Sequence, residues 1–215
     1  MTNVTADRVI NLFSTPILTG VWDQAITQNP ILRDAILNRM AHDNGVEVSN
    51  IFGWQSAIGM TKWAGHSAQL LLDNVVEQCR SVTVDLKGSG PAEWMIDMWA
   101  NVSGAGSANQ THSHPGCYWS AVYYVDDGYA GSDDKNLGGE LVFLDPRMPM
   151  IRMGVPDLRY CRPDRTPDHH ETWMRPKSGL VVIFPSWLMH GVRPYYGQGK
   201  RISIAINVSL IARGA

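Results

Sequence analysis

Cysteine is scarce in this chain. Cys79, Cys117 and Cys161 are an odd number with no CxxC spacing, which argues against a disulfide framework and against a cysteine zinc site as the organising device. They read as free thiols. Long apolar runs are missing too: in MTNVTADRVINLF, Asp7 and Arg8 stand before any hydrophobic stretch develops. Neither a secretory signal nor a transmembrane span is expected, and the expected compartment is the cytoplasm. Charge of one sign is not in excess, since 18 Lys and Arg face 20 Asp and Glu for a net −2. No electrostatic footprint for nucleic acid or an acidic membrane follows from that balance, so the expected partner is a small molecule or a local surface. There is no internal repeat and no low-complexity segment.

What is present suits one globular domain spanning 1–215. The apolar fraction is 44% and the charged fraction 18%, and a chain of this length can bury a sizeable core. Residues 1–90 read as a helical support region. Pro30 is expected to open a helix through His42, with Leu32, Ile36 and Met40 on one stripe. A stronger helix follows, because Ala68, Leu71, Leu72, Val75, Val76 and Cys79 recur on one helical face. From Lys87 to Pro91 the period changes to two: Trp94, Ile96, Met98, Ala100 and Val102 share one face of a strand, with Met95, Asp97, Trp99 and Asn101 on the other. Further strands are expected near 118–125, 139–144, 179–184 and 201–210. Residues 91–211 thus form a β core, and the fold class is α+β, mainly β, of the jelly-roll type. The interval 146–176 lacks periodicity and reads as a long loop, either a flap over the site or a peripheral insertion.

The most informative stretch is Asn109 to Val125, NQTHSHPGCYWSAVYYV. In an extended chain, side chains two apart share a face, so His112 and His114 can reach one metal ion. The best third ligand is His190, in FPSWLMHGVRP. In RISIAINVSL, Arg201, Ser203, Ala205 and Asn207 point one way while Ile202, Ile204, Ile206 and Val208 point the other. If the aliphatic face packs under the helix at 68–79, Arg201 faces the barrel interior. A guanidinium there is costly unless an anion meets it, and its fork beside a hydroxyl suits a carboxylate.

Paired histidines at a strand start, a strand ending in YYV, a GGELVF strand, KSGLVVIFPSWLMHGVRP and RIS, in this order, resemble the iron(II)- and 2-oxoglutarate-dependent oxygenases. More narrowly they are similar to a bacterial and phage subfamily with HxHPG, YYV and FPSWLxHxVxP segments. The resemblance spans about 92–210 and implies a double-stranded β-helix with helices braced outside. It implies iron(II) on His112, His114 and His190, and 2-oxoglutarate held through its distal carboxylate by Arg201, Ser203 and Tyr124. The implied reaction oxidises a substrate, by hydroxylation, as the keto acid loses carbon dioxide to give succinate. Trp119, Trp187 and the 146–176 loop are candidates for shaping the pocket.

One departure matters: His114 stands where the family at large has a carboxylate. A second alignment makes His114 the first ligand and Gly116 the carboxylate position. Two other functions stay open, a three-histidine cupin-type dioxygenase without a keto acid and a non-catalytic metal-binding jelly roll. The sequence names no substrate, because specificity lives in loops that no pattern decodes.

Overall fold

A computed structural model describes residues 10, 12–86, 93–148 and 157–210. Eleven strands are described: β1 Leu18–Val21, β2 Asn50–Ile51, β3 Trp54–Gln55, β4 Trp94–Ser103, β5 Ala108–His112, β6 Trp119–Asp126, β7 Leu141–Leu144, β8 Glu171–Met174, β9 Leu180–Pro185, β10 His190–Val192 and β11 Arg201–Leu210. Two α-helices, α1 Ala25–His42 and α2 Gly65–Ser81, precede most of them. The strands pair antiparallel into a six-stranded sheet, β1-β9-β6-β11-β4-β3, and a five-stranded sheet, β2-β5-β10-β7-β8. The architecture is the expected one, mainly β with two antiparallel sheets.

Alternation along the strands creates two cores. On β4, Met98, Ala100 and Val102 are buried together with Ile202, Ile204, Ile206 and Val208 of β11. These residues face outward from the barrel and pack against Leu32 and Ile36 of α1 and Ala68, Leu71, Val75 and Cys79 of α2. Full burial of each such aliphatic is worth about 1.5–3 kcal/mol, so the helices cover what would otherwise be a large apolar sheet face. The second core lies between the sheets and contains Tyr124, Leu141, Phe143, Val182, Phe184 and Leu188.

Two expectations need correction. Helix α1 begins at Ala25, so Pro30 lies inside it and does not open it. Proline costs a helix least in its first turn, where the missing N–H has no partner to lose; Pro30 sits just past that turn. The interval 146–176 is also not loop throughout. Cys161 bridges Pro167, and Glu171–Met174 forms β8 at the edge of the smaller sheet, paired with β7. Its pattern hides in a short edge strand whose Trp173 is 52% exposed. Residues 149–156 of that interval lie outside the described residues, as do 1–9 of the leading segment.

Candidate metal centre and anion pocket

The register of the smaller sheet brings the first two histidines together. His190 of β10 is the cross-strand partner of His112 of β5. β5 ends at His112, and the chain then turns through Pro115 and Gly116, whose φ is +89°. That turn is anchored: the His114 amide donates to Ser186 O at 2.9 Å, and the Tyr118 amide donates to Val208 O at 2.8 Å. His114 is thereby folded back toward the other two. Ring centroids stand 4.5 Å apart for His112 and His190, 4.8 Å for His112 and His114, and 5.1 Å for His114 and His190. One ring nitrogen from each lies within 4.8 Å of the others, a group that could hold one metal ion.

Hydrogen bonds and burial prepare these rings as ligands. A carbonyl oxygen can only accept, so the 2.8 Å contact of His190 Nδ1 with Leu188 O and the 2.7 Å contact of His112 Nδ1 with Gln110 O place the protons on Nδ1. Both Nε2 lone pairs are then free, the arrangement that orients metal-ligating histidines. Burial, followed by the neighbouring His112, pushes His114 down to about 4. Burial likewise pushes His190 down to about 3; its bond to Leu188 O opposes this, and His112 and His114 add to it. His114 and His190 are therefore neutral at physiological pH, and neutral imidazole is the ligand form.

Arg201 occupies the deep end of the same cavity. It is 1% exposed, yet Nε and Nη2 are buried without a hydrogen-bond partner, as is the hydroxyl of Tyr124. The guanidinium carbon lies 5.1 Å from the Tyr124 ring centroid. Burial pushes the Tyr124 phenol up, and Arg201 beside it works in the opposite direction. Among the described residues Arg201 makes no ion pair. A buried cation with two idle donors and an idle hydroxyl nearby matches a carboxylate. Gly139, where φ is +80°, packs beside this stem: a Cβ there would sit 3.1 Å from Tyr195 Cδ2 and 3.4 Å from Arg201 Cδ.

The cavity joining these two ends is lined by the three histidines, Arg201 and Ser203 together with Trp99, Asn101, Asn109, Val122, Leu141, Phe184 and Asn207, among others. Tyr124, which packs against Arg201, lies in the inter-sheet core. Sequence reasoning placed Trp119 at the pocket, and it is not there. Trp119 faces the helices and its indole N–H donates to Thr83 Oγ1 at 2.9 Å. Trp99 takes that place, 6.0 Å from the His114 ring; its position on the same face of β4 as Asn101 was the signal. His169, His170 and Glu171 lie outside the metal-capable group.

Comparisons with known proteins agree with this geometry. The sequence model of a family described as 2OG-Fe(II) oxygenase matches residues 97–207, slightly more than half of the chain, from within β4 to within β11. No curated protein matches the chain. In fold, the chain is similar to a prolyl-4-hydroxylase from Pseudomonas putida, with a TM-score of 0.61, 16% identity, and 94% of this chain and 95% of that one covered. It is also similar to a prolyl hydroxylase from Trichoplax adhaerens solved with a hypoxia inducible factor peptide fragment, at TM-score 0.59, 15% identity, and 89% and 83% coverage. A third is HygX from Streptomyces hygroscopicus, solved with nickel, 2-oxoglutarate and hygromycin B, at TM-score 0.57, 15% identity, and 91% and 83% coverage. At such identities the likeness is one of fold.

Proposed function

Because the chain belongs to the 2OG-Fe(II) oxygenase family, we propose that His112, His114 and His190 hold its iron(II), and that Arg201, Ser203 and Tyr124 hold the distal carboxylate of its 2-oxoglutarate. The carrying observation is the pairing of three converging imidazoles with a buried guanidinium that makes no ion pair among the described residues, in one cavity. Bound there, iron(II) and 2-oxoglutarate would activate dioxygen as the oxidant, one oxygen atom entering the succinate formed as the keto acid loses carbon dioxide and the other entering the hydroxylated substrate.

This chain's own residues supply positioning and exclusion of water. The Nδ1 bonds of His112 and His190 hold both rings in the ligating tautomer. Arg201 fixes one end of the diacid by a directional, charge-assisted contact, and Tyr124 adds a hydroxyl to it. Val122, Leu141 and Phe184 give the cavity an apolar wall between its two polar ends. Three neutral imidazoles bring no negative charge to the metal, so the keto acid is its anionic partner.

The presence of both His112 and His114 in the cluster favours the three-histidine set over the alignment that uses Gly116. His114 in place of a carboxylate also favours a second reading, a cupin-type dioxygenase without a keto acid. Arg201 weighs against it, since such a site has no use for a buried anion anchor. No described helix is long and apolar enough to cross a membrane. Three free cysteines support work in a reducing compartment, the cytoplasm, and a near-neutral net charge supports a partner other than nucleic acid. Anaerobic titration of iron(II)-loaded protein with 2-oxoglutarate tests the reading: saturable binding, followed by succinate release on admitting oxygen, is expected. Oxygen uptake without keto acid binding or succinate would establish the second reading instead.

A further inference from the structure

The inner face of the six-stranded sheet is a ladder whose rungs are set by the register of β4, β11 and β6. Asn101, Ser203 and Tyr124 form the rung next to Arg201; Trp99, Ala205 and Val122 form the next; Asp97, Asn207 and Ser120 form the third. Trp99 meets the His114 ring, so the histidines stand level with the middle rung. Arg201 lies to one side of that level and the Asp97 rung to the other. On β4 exposure falls inward, from Met95 at 56% to the half-buried Asp97 and Trp99, and Arg201 at the far end of the face is 1% exposed; Asn207 and Ser120, the other two members of the third rung, are buried. Asp97 is therefore the solvent-reaching member of the third rung, on the side of the histidines away from Arg201.

One member of that rung is opposite in charge to the deep end, the Asp97 carboxylate, while Asn207 already accepts from Ser120 Oγ through Oδ1 at 2.9 Å. The Asp97 carboxylate shares that rung and makes no ion pair or hydrogen bond among the described residues. A half-buried carboxylate without a protein partner is stabilised by any cation brought to it. Two residues deeper on the same face, about 7 Å along the strand, Trp99 offers its ring to the cavity. A carboxylate and an indole at that spacing attract a cation from two sides. Among the cavity-lining residues the sole permanent cation, Arg201, is at the far end.

We propose that Asp97 and Trp99 form a subsite for a protonated amine or guanidinium group, so that the enzyme oxidises a carbon close to a cationic centre of its substrate. The link to oxidation rests on the oxygenase reading above; the preference for a cation stands on Asp97 and Trp99 alone. Two probes of nearly the same shape test it: Nα-acetyl-lysine methylamide and its neutral Nε-acetylated form. Each is titrated into full-length, metal-loaded protein with 2-oxoglutarate under anaerobic conditions at physiological ionic strength, with binding followed by ligand-observed NMR. Wild-type protein is expected to bind the charged probe about tenfold more tightly, the factor that corresponds to about 1.4 kcal/mol. Asp97→Asn should bring the ratio to about one with 2-oxoglutarate affinity unchanged, and Asp97→Ser should behave alike. Equal binding of the probes, binding of neither, or a ratio that survives both substitutions overturns the proposal. Failure of the wild type to bind 2-oxoglutarate in the same series would instead overturn the oxygenase reading.

Discussion

Replacing Arg201 by methionine should separate anchoring from folding. In the protein without ligand, the guanidinium is buried with Nε and Nη2 idle. Removing an uncompensated buried charge in favour of a flexible apolar chain of similar length is neutral to stabilising by about 1–4 kcal/mol. The thermal midpoint of Arg201→Met should therefore equal or exceed that of the wild type when neither carries ligand. Binding should move the other way. Each charge-assisted hydrogen bond contributes about 1.5–3 kcal/mol, so losing two costs about 3–6 kcal/mol. At about 1.4 kcal/mol per decade, 2-oxoglutarate affinity falls roughly a hundredfold to ten-thousandfold. Arg201→Lys keeps the charge but not the fork and should fall between. Anaerobic calorimetry with metal-loaded protein reads the affinity, and differential scanning calorimetry reads the stability. Near-wild-type affinity in Arg201→Met, or its marked destabilisation without ligand, would show that the guanidinium already has its partner inside the protein and would refute the anchor.

Four further outcomes are expected. His190→Ala should abolish stoichiometric metal binding, measured by elemental analysis after equilibration with iron(II) or zinc, while circular dichroism stays native because β10 is held by its backbone pairing to β5 and β7. In metal-free protein, His114 and His190 titrate in the folded state near 4 and 3, below the ordinary 6.5. Their contribution to stability is complete above pH 6.5 and declines as pH falls toward those values, so denaturant midpoints should drop on acidification, less steeply in His190→Gln. Gly139→Ala should destabilise by about 1–3 kcal/mol through its positive φ and its contact with Tyr195, read as a lowered denaturant midpoint. Cys79 is buried and its thiol is pushed up to about 12, so at pH 8 a maleimide should label the exposed Cys161 and spare Cys79 until denaturant is added; the stability contributed by burying the neutral thiol is complete below about pH 9 and declines as pH climbs toward 12.

Much of this arrangement was legible because its periods are unambiguous. The two-residue alternation in RISIAINVSL placed Arg201 and Ser203 inside and the four aliphatics beneath the helices; the first two line the cavity and the aliphatics share the helix-covered core. The stripe through Ala68, Leu71, Val75 and Cys79 likewise faces the core. The boundaries of short strands were not legible. β5, β8 and β10 have five, four and three residues, too few for alternation to speak, and they are held by pairing with distant partners. The misplacement of Trp119 has the same origin. A tryptophan on a strand buried on both sides satisfies either face, and only its bond to Thr83 decides it. The turn at Pro115 and Gly116 was visible, but its consequence was not: only the amide of His114 reaching Ser186 O shows that the chain doubles back.

If His112, His114 and His190 hold the metal as proposed, the cross-strand pairing of His112 with His190 makes the timing of metal capture a property of chain assembly. The HxH pair alone offers two nitrogens to an ion, as a short peptide would, and grips it weakly. The third arrives only when a strand from late in the sequence zips against one from the middle. Tight chelation therefore reports that this long-range closure has occurred, and ions supplied during refolding should be retained only by molecules that have completed the smaller sheet.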